Sequence, residues 1–215
     1  MDDTNKLREE VNPIHNTAKA TLEFDARSGD ADSQMLYARL GFGSVYDKGT
    51  TERSSPEMVE DGRRLYSVFL THLSTRFSGV NRLISSRADR VVVDLPCGFT
   101  SRGIKMSREG RTYHGFDLPV VIDTMASLMA EVCPGDEDIH YDAVDATNYE
   151  SMASALVGED EDLLVVTEGL LSYFSQAEFE AMFTSIRRLL ANHVGSWVIV
   201  DVAYHVHGQA MADAI

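Results

Sequence analysis

Arg90-Val91-Val92-Val93-Asp94-Leu95-Pro96-Cys97-Gly98-Phe99 reads as a short apolar strand, Arg90–Leu95, that ends on an acid and turns at once into a helix starting over Ser101–Met106. Three consecutive valines suit a pleated strand. The pattern recurs downstream. Thr112–Asp117, Asp138–Tyr141, Leu163–Thr167 and Trp197–Val202 are further runs rich in Val, Ile, Leu, Tyr and Trp, with helical periodicity between them. Strands alternating with helices predict βαβ units and a doubly wound, mostly parallel α/β sheet.

The connecting helices carry their own start signals. Over Gln176–Leu190 the apolar residues Phe179, Met182, Phe183, Ile186, Leu189 and Leu190 share one face, and Ser175 with Glu178 forms a capping box. A second box, Thr147 with Glu150, predicts a short helix over Ser151–Val157 that stops at Gly158. The first 89 residues show no strong strand. Ser55 and Pro56 open a helix reaching about Arg76, and Gly41–Thr51 reads as a mobile loop before it. This N-terminal segment is expected to form a helical cover (1–89) over the α/β core (90–215) within a single domain.

Composition narrows the partners. A hydrophobic fraction of 44% and a charged fraction of 25% fit an ordinary folded protein. A net charge of −15 excludes nucleic acid as an expected partner, because phosphate binding needs Lys and Arg. No apolar run approaches the roughly 20 residues of a membrane span, and Met1–Glu10 lacks the apolar core of a secretory signal. The expected compartment is the cytoplasm. Cys97 and Cys133 form no paired motif, so both are read as free thiols and no cysteine-based metal site is expected.

Five acids stand at or just beyond the five strand ends: Asp94, Asp117, Asp145, Glu168 and Asp201. Ligands of open α/β sheets bind at those ends, near the switch in strand order. The turn after the first strand lacks the G-x-G-x-x-G spacing that seats a pyrophosphate, although Gly98 leaves room for close backbone approach. Asp117 follows Gly98 by about 20 positions, the offset of a ribose-binding acid. An adenosine-type ligand without an anchored diphosphate fits this combination, which favours S-adenosyl-L-methionine. Asp145 could then accept from the adenine amino group.

Four segments carry a family resemblance: Val91-Val92-Val93-Asp94-Leu95-Pro96-Cys97-Gly98, Gly115-Phe116-Asp117-Leu118-Pro119-Val120, Asp142-Ala143-Val144-Asp145 and Thr167-Glu168-Gly169-Leu170-Leu171-Ser172-Tyr173-Phe174. Over about residues 55–203 the chain resembles the leucine carboxyl methyltransferase family, class I S-adenosylmethionine-dependent enzymes with a Rossmann-like sheet that include tetracenomycin-type polyketide carboxyl O-methyltransferases. The resemblance implies cofactor contacts at Gly98, Asp117, Asp145 and Glu168, and an arginine, Arg63 or Arg64, on the cofactor carboxylate. Two departures stand out. Pro96 replaces the family's usual glycine, and the chain ends at Ile215 where members continue into two antiparallel strands. Without them the fifth strand is expected to be a bare edge open to homo-oligomer formation.

Methyl transfer from a sulfonium is a direct displacement, governed mainly by alignment and exclusion of water. A carboxylate acceptor on a small molecule or peptide terminus is already a nucleophile at neutral pH, whereas a hydroxyl would want a general base. His205 and His207 are the candidates for substrate contact, with Tyr173 as pocket wall, and the two histidines alone are too few for a metal site. A nucleotide-dependent oxidoreductase and a non-catalytic interaction domain are the competing functions.

Overall fold

Val91–Val93 are almost wholly inaccessible to water, and each buried side chain of this size contributes about 1.5–3 kcal/mol of hydrophobic stabilisation. They form β1 (Val91–Asp94), the middle of a five-stranded sheet in the computed structural model of the chain. The structure describes residues 13–43, 56–160 and 162–201, without the side chains of 13–16, 56–63, 65–66 and 69–70. The other strands are β2 (Thr112–Asp117), β3 (Ile139–Ala143), β4 (Leu163–Thr167) and β5 (Gly195–Ile199). All pair in parallel, in the order β3-β2-β1-β4-β5, so strand order reverses between β1 and β4. The doubly wound α/β sheet expected from the sequence is therefore present.

Two strands sit differently from the sequence reading. β3 runs to Ala143 rather than stopping at Tyr141, since Asp142 and Ala143 pair with Phe116 and Asp117. β5 begins at Gly195 and ends at Ile199, because its register against β4 is set by Leu163 opposite Gly195 and Thr167 opposite Ile199. Gly195 has no side chain for a reason of packing: an added Cβ would collide with the Leu163 carbonyl oxygen.

Helices cover both faces. On one, α6 (Tyr149–Ala155) with its C-cap Leu156, and α7 (Gln176–Asn192), place Met152, Leu156, Met182, Ile186 and Leu189 against Val91, Val93, Phe116 and Val165. On the other lie α4 (Arg102–Arg108) and α5 (Pro119–Val132); Gly103 of α4 fits against Tyr113 and Tyr141, where a Cβ would come within 2.9 Å of the Tyr113 ring. The Ser175–Glu178 capping box is present, and its hydrogen bonds hold the exposed Glu178 carboxyl below its ordinary range. The second box is not as read. Thr147 donates its N–H and hydroxyl to Asp145, so Asn148 becomes the N-cap, accepting from the amides of Glu150 and Ser151, and the helix starts two residues early. Phe183 is also not buried, but lies beside Trp197 with ring centroids 5.2 Å apart.

The chain divides into two compact units: Met1–Leu83 with Gly98–Arg102, and Ile84–Cys97 with Gly103–Ile215. The first contains α1 (Pro13–Arg27), α2 (Ala31–Leu40) and nearly all of α3 (Pro56–Ser85), and no strand among its described residues. α3 passes Arg76, the expected end, because Phe77, Val80 and Ile84 form a buried stripe at helical spacing beyond it. Asp30 caps α2 through Ser33 N, and Gly41 ends it in a left-handed turn that suits glycine. Most of the loop expected over Gly41–Thr51 lies outside the described residues. No described helix is long and apolar enough to cross a membrane.

Candidate functional site

The parallel register brings the strand-end acids to one edge of the sheet unit. Asp94 lies opposite Gly115 of β2 and Val166 of β4, and Asp117 lies two positions further on, opposite Ala143. Their environments separate their tasks. Asp94 is fully buried and accepts from the Tyr113 hydroxyl at 3.0 Å, fastening β1 to β2 from within. Asp117 is 6% exposed and its Oδ1 accepts from Leu118 N at 2.7 Å, which orients the carboxylate at the mouth of the β2–α5 turn.

Asp145 is exposed, and its Oδ1 accepts from Thr147 N at 2.9 Å and Thr147 Oγ1 at 2.7 Å. Glu168 follows β4 directly and is half-buried. Asp201, the last of the five strand-end acids, is engaged within the protein. Its two oxygens accept from Gly169 N (2.6 Å), Leu170 N (2.8 Å) and Leu171 N (3.1 Å), so it clamps the loop after β4. That loop continues through a 3₁₀ turn, Leu171–Tyr173, where Tyr173 is 37% exposed and Phe174 packs on the core. The stretches 94–101, 117–121, 143–148 and 168–174 contain no Lys or Arg.

The turn after β1 is held by Cys97 N donating to Phe116 O at 2.9 Å, and the Leu95–Pro96 peptide is cis. Gly98 then takes φ +54°, a conformation glycine adopts without cost.

Within the helical unit, Arg64 is exposed on α3, and the side chain of Arg63 lies outside the described residues, as do His205 and His207. A buried cation of this unit among the described residues is Arg102, which sequence reading missed: its Nε donates to Asn81 Oδ1 at 2.8 Å and its guanidinium stands 5.4 Å from the Phe77 ring centre. No spacing motif links residues 77, 81 and 102. The only hint was an Arg opening a helix directly after the turn.

A cavity of about 230 Å³ lies between α5 and β3, lined by Met129, Cys133, Asp136, Ile139 and Tyr141 among others. Its lining comes from the residues that precede and open β3, away from the strand-end acids. Burial raises the Tyr141 phenol well above its ordinary range, so it stays neutral there.

Among solved structures, the chain is similar to the apo form of the S-adenosylmethionine-dependent methyltransferase SibL, with a TM-score of 0.39 and 14% identity over 80% of this chain and 46% of that one. The chain thus spans about half the length of that protein. No protein-family model and no curated protein matches it.

Proposed function

We propose that the chain is an S-adenosyl-L-methionine-dependent methyltransferase whose acceptor is a carboxylate on a small molecule or peptide terminus. The observation that carries this reading is Asp117, a nearly buried, oriented carboxylate at the carboxyl end of β2 beside a first-strand turn without a glycine-rich phosphate motif. A carboxylate there suits the vicinal hydroxyls of a ribose. The absence of Lys and Arg from the strand-end stretches fits a ligand with a positive centre better than one with a diphosphate.

In this reading Asp117 holds the ribose, Asp145 faces the adenine side, and Glu168 borders the same edge from β4. When bound, the cofactor supplies an electrophilic methyl on a sulfonium. The protein's share is alignment: a rigid sheet edge fixes the donor, and the Asp201 clamp fixes the loop carrying Glu168 and Tyr173. An acceptor carboxylate is already ionised at neutral pH and needs no base to react.

Calorimetric titration with S-adenosylhomocysteine tests the reading. Parent protein should bind, and Asp117→Ala should lose about 2–4 kcal/mol, roughly 30-fold to 1000-fold in Kd, from two charge-assisted bonds partly replaced by water. Stability should fall by only about 1 kcal/mol, the worth of the local hydrogen bond from the Leu118 amide. Binding of NADH instead would favour the oxidoreductase, and binding of neither the interaction domain.

A further inference from the structure

We propose that His114, His140 and Glu159 form a binding site for a divalent transition-metal ion of the zinc class, built into the sheet apart from the strand-end acids. The parallel register sets His114 of β2 directly opposite His140 of β3, so both imidazoles leave the sheet on one face. They stack with ring centroids 4.7 Å apart and planes 24° from parallel. Glu159 arrives from the segment between α6 and β4 and brings Oε1 to 2.9 Å from His114 Nε2. Three donors from three separate stretches of chain thus converge, with ligating atoms all within 4.8 Å of one another. The site is distinct from the proposed cofactor edge. His114 is three residues before Asp117, roughly 10 Å along the strand, and by strand alternation on the opposite face.

His114 is 4% exposed, and its Nε2, the ring nitrogen that faces Glu159, is the one placed to share an ion with that carboxylate. Its Nδ1 has no hydrogen-bond partner among the described residues, so no described neighbour opposes the tautomer that leaves Nε2 free to ligate. The net charge of −15 further enriches cations around the chain.

Two imidazoles and a carboxylate, with no sulfur, are the donor set of zinc sites that keep a fourth position for water. Zinc bonds of about 2.0–2.2 Å at tetrahedral angles put donors roughly 3.4 Å apart. The 2.9 Å pair must therefore open slightly and the other pairs close by at most about 1.4 Å, with His140 and Glu159 both half-buried rather than locked in the core. An ion held there would tie the segment after α6 to β2 and β3.

The test uses the full chain stripped with a chelator. Zn²⁺ is titrated in competition with a chromophoric chelator, Co²⁺ is followed by its visible ligand-field absorption, and thermal unfolding is recorded with and without metal. The expected result is one ion per chain, tetrahedral Co²⁺ bands and a Zn²⁺-dependent rise in Tm. His140→Ala and Glu159→Gln, folded by circular dichroism, should each weaken binding at least about 10-fold and dim the Co²⁺ bands. His205→Ala/His207→Ala should leave both readouts unchanged. No binding by the parent, equal binding by the His140 and Glu159 variants, or loss confined to the His205/His207 variant would each overturn the proposal; the last would mean that the chain binds metal elsewhere. Neither cofactor nor methyl transfer enters the assay, so its outcome is independent of the proposed activity.

Discussion

Removal of the Asp201 carboxylate should unfasten the loop that follows β4. That single side chain accepts three consecutive amides, at 2.6, 2.8 and 3.1 Å from Gly169, Leu170 and Leu171. Hydrogen bonds to a charged group contribute about 1.5–3 kcal/mol each, so three independent ones would total roughly 4.5–9 kcal/mol. Two effects reduce the figure. Asp201 is half-buried, so water reaches some of the released amides, and three bonds to one carboxylate are lost together rather than additively. A loss of about 2–4 kcal/mol remains for Asp201→Ala, somewhat above a good helix cap. For a chain of this size that is a fall in Tm of roughly 4–16 °C. Asp201→Asn keeps one acceptor oxygen and should cost about half as much. Urea denaturation gives the energies, and hydrogen exchange should show Gly169–Leu171 amides released first. A change in Asp201→Ala of less than about 0.5 kcal/mol, or an Asn variant weaker than the Ala variant, would refute the clamp.

Gly115→Ala should destabilise by about 1–3 kcal/mol, because its Cβ would stand 2.6 Å from Tyr141 Cε1 and 3.1 Å from Cys97 Sγ; a denaturation cycle with Tyr141→Leu should recover part of the loss. In chelator-treated protein, stability should fall as pH drops from about 7 to about 5. Burial depresses the folded pKa of His114 below its ordinary 6.5, so the unfolded chain takes up the proton first; His140, Glu159 and Asp142 are the charged groups around it. His114→Gln should flatten that slope, and an unaltered pH profile would remove His114 as its source. β5 has a strand neighbour on one side only among the described residues, which predicts concentration-dependent self-association through its outer edge; light scattering showing a monomer at high concentration would exclude it.

The sheet was legible because its signal is local. Apolar runs such as Val91–Val93 and Leu163–Val166 are buried on both faces, and their composition alone announces that. Boundaries were less legible because pairing with a neighbour decides them: Asp142 and Ala143 are strand only because Phe116 and Asp117 lie opposite. Thr147 looked like a cap until Asp145 claimed its hydroxyl. The strand-end acids were found by position, but position could not reveal that Asp94 faces Tyr113 or that Asp201 faces three amides. Arg102 with Asn81, and His114 with His140 and Glu159, had no spacing signature at all. Folding brings them together across gaps that no periodicity links.

The short segment Gly98–Arg102 has a consequence for how the chain is made. It belongs with the helices that precede it by tens of residues. Gly98 leaves room for Ala18, Phe99 meets Phe42 with ring centres 4.9 Å apart, Ser101 hydrogen-bonds Asp30 and Ser33, and Arg102 engages Asn81. During synthesis the N-terminal helices leave the ribosome before these partners exist, and β1 must be translated before they can appear. The helical unit is therefore discontinuous in the gene product and cannot be completed co-translationally ahead of the sheet's first strand. A cut near residue 84 does not release a self-sufficient module. It takes α1, α2 and α3 away from Phe99, Ser101 and Arg102, and leaves a buried guanidinium without the amide and the ring that accommodate it.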